Sequence, residues 1–201
     1  MKSLFFSAPL AAWSSIAIVY SIGLINWSRS EYVTRIRNYY FFSHFLIATQ
    51  ITLGTLGVGR IELPATLSDA VSVLGVLCCV AGVTICISAR YSLGQFWDMH
   101  ASIQKQHQLI CNGLYQFSRN PLFIGQVFLF VGTGLSWCNL PVALCALPAV
   151  VSFKRRIANE EKQLEYYFGS EYRRYCKHVA RYLRWPLEIP NQVLHIKPKV
   201  D

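Results

Sequence analysis

Charge is what this sequence has least of. Only 14% of its 201 residues are Asp, Glu, Lys or Arg, and just 10 are acidic, whereas a soluble domain carries about 25% charged residues. The deficit is concentrated in long apolar stretches that hold almost no ionisable group beyond His44 and Asp69. A transporter would carry ionisable residues inside its spans, so their scarcity argues against that class. Among the seven cysteines there is no CxxC, and no Cys/His cluster has zinc spacing, which leaves no metal-site signature. Internal repeats and low-complexity segments are also missing. No small-residue cleavage site follows the first apolar stretch, which is longer than a signal-peptide core; it reads as a first span.

Apolar surface is what the sequence has most of. Hydrophobic residues make up 53% and the mean hydropathy is +0.32. A helix needs about 20 apolar residues to cross a bilayer. Spans are predicted at residues 5–27, 39–58 and 67–89, followed by a hairpin of two shorter ones at 122–137 and 140–153. The fold class is therefore all-α: a polytopic helical membrane protein with about five transmembrane helices plus C-terminal amphipathic helices. Cys78, Cys79, Cys86, Cys138 and Cys145 fall in the apolar stretches, Cys111 and Cys176 outside them; all read as reduced, small, lipid- or core-facing residues.

The formal net charge is +9. The basic residues sit in short loops and a tail, a distribution that suits headgroup contact and topology control better than nucleic-acid binding. The first loop has Arg29, Arg35 and Arg37 against Glu31; the third has Arg90, Lys105 and Arg119; the tail after Phe153 is strongly basic. The positive-inside rule puts these three on the cytoplasmic side and the N-terminus outside. In the tail, Ile157, Leu164 and Phe168 share a helix face that Gly169 stops. Tyr172, Tyr175, Cys176 and Val179 form a second stripe opposite Arg173, Arg174, Lys177 and Arg181, a pattern that suits a membrane surface.

Two polar blocks carry the chemical signal. The first runs from His107 to Gly125. Gly113 permits a tight turn before Tyr115, and Asn120–Pro121 reads as N-cap and first helical residue. Arg119 beside that helix start either anchors a span at the headgroups or forms a carboxylate site. The second block runs from Lys154 to Tyr175. Glu160 and Glu161 lie beside an apolar stripe near the membrane and need partners: Arg155, Arg156 (i,i+4 to Glu160) or Arg119, or else a cation or a ribose.

Together the blocks resemble the isoprenylcysteine carboxyl methyltransferase family and its phospholipid methyltransferase relatives. The matching residues are His107, Leu109, Ile110, Gly113, Tyr115, Arg119, Pro121 and Gly125, then Arg156, Glu160, Glu161, Leu164, Phe168, Gly169, Glu171, Tyr172 and Tyr175. Asn120 and Phe123 stand where the family pattern has His and Tyr, a departure that bears on the acceptor. The resemblance spans roughly 91–182. It implies one membrane domain over 1–201, with N-terminal spans to 89, a cofactor-binding methyltransferase core at 90–185 and a tail at 186–201. It further implies S-adenosylmethionine as cofactor, held by His107, Gln108, Leu109, Ile110, Gly113, Tyr115, Asn120, Pro121, Leu122, Phe123, Glu160 and Glu161. Arg119 and Arg156 would orient the acceptor. That acceptor would be a lipophilic substrate entering from the membrane, and its methylated group a carboxylate. An amine acceptor would need a base, with Glu161 or His100 the candidates. Alternatives are a phospholipid N-methyltransferase, an NADPH-dependent sterol-type reductase, which shares part of the pattern, and a non-enzymatic membrane scaffold. The expected partners are membrane lipids, with no nucleic acid.

Overall fold

The computed structural model describes residues 5, 7–16, 33–94 and 109–183. Regular structure among them is helical, apart from one isolated bridge between Arg60 and Asn139, as the all-α expectation required. Residues 7–16 are helical (α1). After it come α2 (Val33–Thr55), α3 (Ala65–Leu93), a 3-10 turn (Gly113–Gln116), α4 (Pro121–Ser136), α5 (Leu140–Leu144), α6 (Ala146–Phe168) and α7 (Ser170–His178).

α3 is 29 residues long and strongly apolar. It stops at Gly94, whose φ of 52° lies in the left-handed region that favours glycine, and whose N–H returns to the carbonyls of Arg90 and Tyr91. Among the described residues it is the one helix both long and apolar enough to cross a bilayer. α4 is apolar but has 16 residues. α2 has 23 residues, with the less apolar His44 and Gln50 among them, and the predicted first span falls largely outside the described residues. Among the described residues, α3 alone of the expected spans meets both criteria.

α3 and α4 pack through small residues. Ser72, Gly75, Cys79, Gly82, Cys86 and Ala89 are the buried positions of α3, spaced at three and four so that they share one face. They meet Gly125, Leu129, Gly132 and Ser136 of α4. A side chain at Gly82 would put its Cβ 2.8 Å from the Gly125 carbonyl oxygen, and one at Gly125 would come equally close to that of Gly82. Such small-residue stripes let helices approach closely where lipid supplies no hydrophobic drive. Cys79 and Cys86 serve here as small packing residues, and all seven cysteines are free thiols.

Around this pair lies the main core: Trp13 and Ile16 of α1, Leu46 of α2, Phe123, Leu129 and Phe130 of α4, and Ala149, Phe153 and Ile157 of α6. Trp13 donates to Thr133 Oγ1 at 3.1 Å. Gln50, fully buried, donates to the carbonyls of Phe130 (3.0 Å) and Val142 (2.8 Å), tying α2 to α4 and α5.

Three expectations change. Arg35 and Arg37, read as loop residues, belong to α2. The predicted fifth span and first tail helix are one continuous element after a break at Cys145. Pro148 explains the break: it lacks the N–H that would reach the Leu144 carbonyl, and its ring crowds that carbonyl. Nothing from Phe153 to Phe168 interrupts the helix, so α6 runs from apolar to charged sequence without a turn. Finally, the stripe of α7 does not face lipid. Tyr172, Tyr175 and Val179 are buried against Leu109, Cys111 and Phe168 in a second core, leaving only the basic face of Arg173, Arg174 and Lys177 exposed.

Candidate active site

The two polar blocks meet at one end of the α3–α4 pair. Segment 109–111 packs on α7 through the second core. The chain then turns at Gly113, where φ is 58°, close against Ser92 near the end of α3. Tyr115 comes next, buried in the 3-10 turn. Its carbonyl accepts a 2.7 Å hydrogen bond from the Tyr175 hydroxyl, joining the first block to α7. Burial pushes the Tyr115 hydroxyl well above the usual tyrosine range, and Glu160 raises it further.

Asn120 occupies the N-cap position of α4 with Pro121 behind it, as expected, but its side chain makes no capping bond. Instead Nδ2 donates to Glu161 Oε1 at 3.4 Å and to the Arg181 carbonyl at 3.1 Å. Arg119 Nη1 lies 3.5 Å from the same Glu161 oxygen and also donates to Cys176 Sγ. Glu161 Oε2 takes Arg181 Nη2 at 2.6 Å and Nε at 3.0 Å. Arg119, one of the partners weighed for the glutamates of α6, is thus paired with the chain's own Glu161. Its side chain is 10% exposed and both oxygens are engaged within the protein. The hydrogen bond to Glu161 is also the main cause that raises the Arg181 guanidinium above its ordinary value.

Glu160 is set differently. It pairs with Arg156 one turn earlier, Nε to Oε1 at 2.7 Å, with side chains 20% and 25% exposed. The Arg156 guanidinium lies over the Phe123 ring, 5.4 Å from its centroid, in the range of a cation–π contact. Phe123 also packs on Phe153 at 5.2 Å. Phe123, Arg156 and Glu160 form one constellation; Arg119, Asn120 and Glu161 form a second, adjoining it on α6. Leu109 is buried in the second core, Ile110 and Leu122 are half-buried, and Pro121 is buried. His107, Gln108 and His100 lie outside the described residues.

Beside the first constellation, α4 and α6 leave a cleft of about 280 Å³. Phe123, Val127, Phe128, Val150, Phe153 and Ile157 line it, Tyr182 adds a wall, and Lys154 is its one charged lining residue. Two contributors escaped the sequence reading. Arg181 was seen only as part of a basic face, and Ser118, whose Oγ accepts from the Asn120 N–H at 3.0 Å, carried no signal.

Known proteins are similar to this chain over about half its length. Protein-S-isoprenylcysteine O-methyltransferase A of Arabidopsis thaliana is 32% identical over 114 residues, covering 55% of this chain and 57% of that protein. The probable protein-S-isoprenylcysteine O-methyltransferase of Oryza sativa subsp. japonica is 32% identical over 113 residues, 54% of this chain and 59% of the relative. The Homo sapiens protein-S-isoprenylcysteine O-methyltransferase is 29% identical over 114 residues, 54% and 39%. The chain thus spans between about two fifths and three fifths of these relatives' lengths. The phospholipid methyltransferase family pattern matches residues 70–171, about half the chain, from α3 through both constellations to the start of α7. With the turn at Tyr115, the start of α4 and the glutamate pair of α6 all inside the matched stretch, the chain belongs to the phospholipid methyltransferase family.

Proposed function

We propose that the chain is an integral-membrane S-adenosylmethionine-dependent methyltransferase that methylates the carboxylate of an isoprenylcysteine-like or other lipophilic acceptor. The observation that carries this reading is the convergence of Phe123, Arg156 and Glu160 next to an apolar cleft. The relatives' names supply the acceptor class.

The residues fit the cofactor's charge. S-adenosylmethionine, when bound, supplies an electrophilic methyl on a cationic sulfur. Phe123 already faces a guanidinium, and aromatic faces suit a sulfonium equally. Glu160 offers a half-buried acceptor for the ammonium or ribose hydroxyls. The backbone at Leu109–Ile110, and His107 and Gln108 before it, would take the adenine. Arg119, Asn120, Glu161 and Pro121 support this wall from behind.

On the acceptor side, Arg156 orients a carboxylate, as a planar guanidinium does well. The cleft takes the apolar part and keeps water out. A carboxylate is ionised at pH 7, so alignment and desolvation supply the catalysis. An amine acceptor, which the family's name also suggests, would first lose a proton. Glu161, one of the bases considered for that step, has both oxygens hydrogen-bonded, and this favours the carboxylate. Loop charge supports a site facing the cytoplasm, with the acceptor arriving from the membrane.

Calorimetry on the detergent-purified protein tests the reading. S-adenosylmethionine binds the wild type, and Glu160→Ala removes binding at millimolar cofactor. Thermal stabilisation by NADPH alone would overturn the proposal in favour of a reductase.

A further inference from the structure

We infer that residues 180–182 form a strap that sets one wall of the acceptor cleft, with Arg181 as its positioning residue. The inference rests on the reading of the cleft as the acceptor's site. After α7 the chain becomes extended at Val179 (φ −115°, ψ 127°), and residues 180–182 belong to no helix. Ala180 and Arg181 are fixed by contacts instead. The Ala180 carbonyl accepts from the Arg119 N–H at 3.0 Å. The Arg181 carbonyl accepts from Asn120 Nδ2 at 3.1 Å and Ser118 Oγ at 3.4 Å. The Arg181 guanidinium grips Glu161 on α6 through two nitrogens. Tyr182 then lines the cleft with Phe123 and Ile157.

The strap therefore joins the start of α4 to α6, and the next residue along is cleft wall. Glu161 sits on the helix that supplies the opposite lining, Val150, Phe153 and Ile157. Arg181 fixes the spacing between that helix and Tyr182 while touching neither Tyr115 nor Glu160. Loss of its guanidinium should loosen the wall that meets the acceptor and spare the cofactor's contacts.

Arg181→Gln, Arg181→Lys, Tyr182→Ala and the Arg181→Gln/Tyr182→Ala pair test this, with an N-acetylated S-prenyl cysteine as acceptor probe. Arg181→Gln should raise the probe's KM about tenfold, with kcat and the S-adenosylmethionine Kd within twofold. Lysine at 181 should recover part of the loss. The double variant should be no worse than Tyr182→Ala, because coupled residues are not additive. Hydrogen exchange reads the strap whatever the activity: the Arg119 amide, whose acceptor is on the strap, should exchange at least tenfold faster in Arg181→Gln. An unchanged Arg119 amide overturns the strap. So does a parallel loss of KM, kcat, cofactor binding and thermal stability, which marks a merely structural residue. A wild type that binds no S-adenosylmethionine refutes the proposed function instead, and the Arg119 amide then decides the strap.

Discussion

Glu160 and Glu161 are adjacent, yet one helical step of about 100° gives them different work. Glu161 faces inward, where Arg119, Asn120 and Arg181 surround it. Glu160 lies on the flank with Arg156. Breaking a buried pair leaves an uncompensated charge, which costs about 3–5 kcal/mol. Glu161→Ala should therefore destabilise the protein on that scale, because Arg119, 14% exposed, loses its carboxylate. A thermal midpoint within one or two degrees of wild type would refute the arrangement. The buried hydroxyls make a second prediction. Burial raises Tyr115, Tyr172 and Tyr175 above the ordinary tyrosine value and pushes the Cys111 thiol up to about 12. The fold thus prefers their neutral forms. Its stability is full below the unfolded values, about 8.5 for Cys and 10 for Tyr, and falls as pH rises past them by up to about 1.4 kcal/mol per unit per group. Thermal midpoints between pH 8 and 11 should decline steeply above about pH 9; a flat profile would refute the burial of these groups. At this scale the Arg156–Glu160 pair was legible from its i,i+4 spacing. The position of Asn120 was legible too, but the use of its side chain was not, since its partners Glu161 and Arg181 are distant in sequence. Arg181 escaped because it meets Glu161 only after α7 folds back.

At the scale of elements, the glycine and cysteine stripe decides how α3 and α4 meet. Gly82→Leu would drive a side chain into the Gly125 carbonyl, which is backbone and cannot swing away. It should abolish the folded, monodisperse protein in detergent, whereas Val80→Leu, at an exposed position of α3, should leave yield and thermal midpoint nearly unchanged. Comparable behaviour of the two variants would contradict the close packing. Hydropathy located these helices well: residues 67–89 lie inside α3, and 122–137 differs from α4 by one residue at each end. It failed between 140 and 168 because a fall in hydropathy marks where a membrane ends, not where a helix does. Lys154 to Leu164 is made largely of helix-compatible residues, so α6 continues through the change. The inward face of α7 was hidden for a related reason. An amphipathic stripe of tyrosines packs against protein or lies on lipid with the same pattern, and only segment 109–111 decides between them.

At the scale of the whole molecule, the end of α3, the start of α4 and the charged half of α6 gather at one end of the bundle. The bridge between Arg60 and Asn139 and the hydrogen bond from the Ile61 N–H to the Cys138 carbonyl, 2.8 Å, occupy the other. α3 and α4 run antiparallel, and the two polar blocks meet at the end where α3 stops and α4 starts. Such polarity suits a reaction whose cofactor is dissolved in water and whose acceptor is dissolved in lipid. The most direct test uses sealed membrane vesicles, prepared in both orientations from cells expressing the chain and supplied with methyl-labelled S-adenosylmethionine and an S-prenyl cysteine acceptor. A membrane carboxyl methyltransferase should yield base-labile methyl ester, formed only when the cofactor is added to the face carrying α7 and absent with Glu160→Ala. Vesicles that form no labelled lipophilic product even after detergent opens them would contradict that assignment.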